Sequence, residues 1–111
     1  MSKDPLHDAA RTWDRPDESI ESVARRIHEG ASGEEALHKR ANDHVHSLFD
    51  PFPYARLVPQ FRAMEIGSGL GYIMEALALY AQDKGIEPKE IIGLDIAPAM
   101  IAKARQRILG G

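Results

Sequence analysis

Glu65-Ile66-Gly67-Ser68-Gly69-Leu70-Gly71 places one carboxylate ahead of three glycines at every second position. Glycine accepts backbone angles that a side chain forbids, and it lets a ligand approach the main chain closely. An apolar stripe at helical spacing follows, so the glycines lead into a helix. A helix start presents free N–H groups and a partial positive charge, which favour an anionic group of a ligand. Asp95 closes the next apolar run, Glu90 to Asp95. In a parallel sheet the ends of adjacent strands lie side by side. A carboxylate there is placed to accept hydrogen bonds from both ribose hydroxyls of a nucleoside lying across the two ends. Glycine bend and acid together describe a site for a nucleoside-containing cofactor.

These residues resemble the first half of a class I S-adenosylmethionine-dependent methyltransferase domain. The acid-x-glycine-x-glycine-x-glycine motif of that family is matched by Glu65, Gly67, Gly69 and Gly71, and its strand-end acid by Asp95. The helix pattern that follows is matched by Met100-Ile101-Ala102-Lys103-Ala104-Arg105. The resemblance covers roughly Leu57 to Leu109. It implies S-adenosyl-L-methionine as cofactor, with Gly67, Ser68, Gly69 and Gly71 at the methionine end. It also implies a direct or water-bridged contact from Glu65, the ribose on Asp95, and Ile96 and Met100 near the adenine. One position departs from the pattern. Ala97 stands where many members carry Ser or Thr, which removes a helix cap worth about 1 kcal/mol.

Two other readings of the bend stay open. A nicotinamide- or flavin-dinucleotide domain has its third glycine one position later, where Tyr72 stands, and close helix–strand packing wants a small residue there. A glycine bend can also be purely structural. Tyr72 itself is a candidate either to line the cofactor site or to pack on its helix.

The elements that must position these residues are legible from periodicity. Arg62–Ile66 and Glu90–Asp95 read as strands, the second one buried. Ile73, Met74, Leu77, Ala78 and Ala81 make the apolar face of the helix between them, with Asp83-Lys84-Gly85 as its stop. Pro98 opens a last helix with the stripe Ile101, Ala104 and Ile108, and its Lys103, Arg105 and Arg107 read as a solvated face. Strand, helix, strand implies a parallel pair with a right-handed crossover. Upstream, Pro16-Asp17-Glu18 marks a helix start, and Ile20, Val23, Ala24 and Ile27 its stripe, ended by Gly30. Ser32 with Glu35 matches a capping box for a second helix, whose buried face is Leu37, Ala41, Val45 and Leu48. Asp50-Pro51-Phe52-Pro53 breaks it, and residues 54–60 suggest a short helical turn. Met1 to Arg15 is polar, and loose unless Trp13 docks.

The expected fold is therefore α/β. A helical segment, residues 1–56, precedes a partial Rossmann-like parallel sheet of β-α-β-α order, residues 57–111, of the class I methyltransferase type. The family sheet has about seven strands, and two are expected here. The cofactor-binding half is present and the acceptor side is not. The reading is methyl transfer to an unspecified acceptor with this chain supplying the cofactor site. The alternative is a non-catalytic, truncated nucleoside-binding, dinucleotide-binding or protein-interaction module. In the family sheet the first strand is central, so its free side here is expected to self-associate around Met64 or to be covered by the N-terminal helices.

Composition bounds the rest. The 111 residues suffice for one small domain, 43% hydrophobic and 28% charged. The net charge of -3 does not indicate a nucleic-acid or anionic-membrane partner. Cysteine is absent, which excludes disulfides and thiolate metal sites and fits a cytoplasmic protein. No run approaches the ~20 apolar residues of a membrane span, and the first residues lack the apolar core of a signal peptide. None of the five histidines pairs with another at the three- or four-residue spacing of a helical metal site. A weak chelate from His46 with Asp50 or Asp43 is the best such candidate, and no metal is expected.

Overall fold

The computed structural model describes residues 11–27, 33–51 and 57–110, and among them three helical segments are followed by strand, helix, strand and helix. Residues 11–13 are helical. Helix α1 spans Ile20–Ile27 and α2 spans Gly33–Phe49; then come strand β1 (Arg62–Ile66), helix α3 (Tyr72–Asp83), strand β2 (Glu90–Leu94) and helix α4 (Pro98–Leu109). The proposed capping serine, the stop at Gly30 and residues 54–56 of the suggested helical turn lie outside the described residues; residues 59–60 form a turn, closed by the Phe61 amide on Val58 O at 3.2 Å.

The α1 helix starts later than Pro16 suggests. Ser19 is its cap, its Oγ accepting the Ser22 amide at 3.0 Å. Residues 16–18 instead form a turn that brings Glu18 onto Arg26, with Nη2 and Oε1 2.6 Å apart. Arg26 also lies 4.7 Å over the Trp13 ring, so Trp13 does dock. Gly33 opens α2 at a close approach to α1: a Cβ there would crowd the Ala24 backbone at 3.2 Å. Leu37, Ala41 and Val45 are buried as the stripe requires, but Leu48 is 48% exposed. Phe49 takes that place, its ring 5.8 Å from Tyr80 of α3.

The strands pair in parallel, Arg62 opposite Glu90 through Ile66 opposite Leu94. The β2 strand is half-buried, not buried, because only one sheet face is covered. Helix α3 covers the face of Glu65 and Gly93, where a Cβ on Gly93 would strike Met74 Sδ at 2.5 Å. On the other face Met64 is 61% and Ile66 84% exposed. The N-terminal helices do not cover this face. Instead α2 packs along α3, and α1 packs on α2. The buried side of α3 is accordingly rotated from the expected stripe: Tyr72, Ala76, Tyr80 and Ala81 are buried, while Ile73 and Ala78 are exposed. A paired turn closes α3, with the Ile86 amide on Ala81 O (2.8 Å) and the Gly85 amide on Gln82 O (3.0 Å).

One core joins both parts of the chain. Val23, Leu37 and Val45 share it with Leu70, Tyr72, Tyr80, Ala97 and Met100. No helix among the described residues is long and apolar enough to cross a membrane.

Candidate functional site

The glycine loop is tied to the end of β2 by its own backbone. The amides of Gly67 and Ser68 both donate to Leu94 O, at 2.8 and 2.9 Å, and the Gly71 amide turns back to Ser68 O at 2.9 Å. Gly69 has φ +54° and Gly71 φ +80°, the left-handed region that side chains avoid. Gly71 is also enclosed: a Cβ would meet Ile108 Cδ1 at 2.7 Å. Gly67 differs, since a Cβ there would meet nothing within 4 Å. The loop is packed from below at Gly71 and open at Gly67. Ser68 is buried beside Gly93, and Met100 is 2% exposed, supporting the loop beneath Gly69. Ile96 stands exposed beside Asp95.

Asp95 is already engaged within the chain. Its Oδ2 accepts the Gly69 amide at 2.8 Å and its Oδ1 accepts the Ala97 amide at 2.9 Å. The carboxylate thus fixes the glycine loop and the start of α4 together. An ionised carboxylate offers about four lone-pair sites, so two remain for a ligand. The missing cap at Ala97 is made good from afar: Oδ1 of Asp14 accepts the Ala99 amide at 2.9 Å. That bond is the one an N-cap side chain would make.

Glu65 occupies the cleft between the loop and α2, a space of about 460 Å³ whose walls include Gly67, Ser68, Gly69, Leu70 and Tyr72. Its Oε1 is buried with no hydrogen-bond partner among the described residues. Burial pushes its carboxyl above the usual glutamate range. Beside it, the first amides of α3, on Tyr72, Ile73 and Met74, meet no acceptor among the described residues. Another cavity, of about 490 Å³, opens between residues 16–21 and α4, but none of the loop lines it.

Behind the loop stands a polar cluster that periodicity did not reveal. The Arg107 side chain is only 9% exposed, not solvated. Its Nε donates to Leu70 O and its Nη1 to Glu75 Oε1, both at 2.9 Å, and its guanidinium lies 3.8 Å over the Tyr72 ring. The His38 ring meets the other residues of this cluster edge-on at Tyr72, 4.7 Å between centroids, with Nδ1 3.4 Å from Glu75. Tyr72 packs against the helices and also lines the cleft. Its hydroxyl donates to Glu34 at 3.2 Å, and burial, with the Glu34 charge adding, pushes it up to about 12. Lys103 is likewise buried, 6% exposed, with Nζ on Arg15 O at 2.7 Å; only Arg105 of the three basic residues is exposed. These bonds reach across 32 to 88 residues, so no local pattern signals them. His46 and Asp50 are close, at 2.7 Å, but Asp50 also accepts the Tyr80 hydroxyl at 2.6 Å and serves as a brace between α2 and α3.

Comparison of the chain with protein-family models, with curated proteins and with solved structures found no match in any of the three.

Proposed function

We propose that the chain supplies the cofactor-binding half of an S-adenosylmethionine-dependent methyltransferase of the class I type. One observation carries the reading: the partnerless buried oxygen of Glu65 lines the same cleft as the glycine loop, while Asp95 stands at the neighbouring strand end. A carboxylate kept from water without a partner is costly, and an ammonium group relieves that cost. The residues fit the cofactor at three points. Glu65 would hold the amino group, the open surface at Gly67 would admit the aminoacyl chain, and the spare lone pairs of Asp95 would accept the ribose hydroxyls. The cofactor when bound supplies a methyl group on a positively charged sulfur. The chain's own residues bind and orient it, which is most of what an in-line displacement asks of a protein.

A second reading has its own support. The two described strands bring no residue set to an acceptor, and the face of Met64 and Ile66 is bare. A module that binds a nucleoside ligand or a protein without catalysis matches that. Calorimetry with S-adenosylhomocysteine and with NAD, on the chain and on an Asp95→Asn variant that circular dichroism shows to be folded, separates the readings. Binding of S-adenosylhomocysteine that weakens in the variant supports the proposal. Binding of NAD alone, or of neither, overturns it.

A further inference from the structure

The cleft beside the loop has two walls, and the second belongs to α2. Arg40, Asp43 and His44 line it opposite the glycine loop and Glu65. Asp43 is already engaged, its Oδ2 2.8 Å from Lys39 Nζ. Arg26 pairs with Glu18, and Arg107 with Glu75. Arg40 forms no ion pair among the described residues, with Glu65 or with any other acid. One cleft therefore carries an uncommitted cation on one side and an uncommitted carboxylate on the other. Opposite charges that share a cleft without joining suit a ligand bearing both signs close together, as the α-carbon of an amino acid does.

We infer that Arg40 is a specificity-determining residue, which takes the carboxylate of the ligand's amino-acid end while Glu65 takes its ammonium group. This rests on the cofactor reading above and deepens it. A guanidinium presents its donors in a planar fork that matches a carboxylate with two parallel hydrogen bonds. A lysine is a point charge and matches it less well. The inference also gives the N-terminal helices a function: α2 becomes a wall of the site, and the glycine loop by itself is half of it.

The test uses the full chain and two ligands, S-adenosylmethionine and its decarboxylated analogue. The analogue keeps the amine, sulfonium and nucleoside and lacks only the carboxylate. Calorimetry is expected to show the chain preferring the intact ligand by about tenfold or more, the scale of a charge-assisted hydrogen bond. Arg40→Met should abolish that preference by weakening the intact ligand alone, and Arg40→Lys should restore part of it. Arg40 is exposed, so both variants should fold, which circular dichroism checks. A chain that binds both ligands equally, or an Arg40→Met variant that keeps the preference, overturns the role of Arg40 and leaves the cofactor reading standing. If neither ligand binds, the cofactor reading itself falls and takes this role with it.

Discussion

Asp95 and Glu65 are both acids beside the loop, yet they sit in opposite conditions. Asp95 accepts two backbone amides, so Asp95→Ala strands the donors of Gly69 and Ala97. We expect a loss of about 2–4 kcal/mol in urea unfolding, the scale of hydrogen bonds to a charged group, with Asp95→Asn losing less because one amide oxygen remains. Glu65 is half-buried, and its buried Oε1 has no hydrogen-bond partner among the described residues. Its carboxyl is raised by that burial, so the folded chain binds its proton more tightly than the unfolded chain does. The resulting stability is full below the ordinary glutamate range and is lost as pH rises through the raised folded value. Glu65→Gln should therefore raise the unfolding midpoint at pH 7 and flatten this part of the pH profile. The same change should weaken any ligand carrying an ammonium group. A variant equally stable at pH 7 and pH 4 relative to the parent would contradict the assignment.

At the scale of elements, the loop is held by helices far from it in sequence. Arg107 of α4 grips Leu70 O and Glu75 at once and stacks on Tyr72. Arg107→Ala removes the closer partner of the half-buried Glu75, leaving His38 beside it, and should cost about 2 kcal/mol. Hydrogen exchange should then quicken at the amides of residues 68–72 before it does in α2. Asp14→Ala tests the remote cap on α4 and should cost about 1 kcal/mol. The strand–loop–helix order, the stop of α3 and the opening of α4 at Pro98 were legible in sequence, because turn chemistry and periodicity are local. The rotated face of α3 and the burial of Lys103 and Arg107 were not. Their partners lie on elements whose placement periodicity does not encode.

For the whole molecule, the consequence is an open sheet. Among the described residues strand β1 pairs on one side only, and Met64, Ile66 and Leu94 are exposed. An unpaired apolar strand edge recruits another chain. We expect light scattering to show a mass that grows with concentration, and Met64→Lys to hold the chain closer to a monomer. A strict monomer across that range would argue against association through β1. The core is small: among the described residues it comprises eleven buried side chains, four of them alanines. A core of that size leaves little reserve against the 5–15 kcal/mol typical of a domain, so losses at Asp95 and Arg107 should be felt globally.

The sequence by itself determined the glycine bend, the acid at the end of the second strand and the parallel β-α-β order. Each depends on residues close in the chain, where backbone angles and spacing decide. Only the tertiary structure decided that Asp95 already holds the loop, that Glu65 is left without a partner, and that α2 walls the cleft with Arg40. Those facts depend on which surfaces meet across the core, and burial sets the worth of a charge only once that is settled.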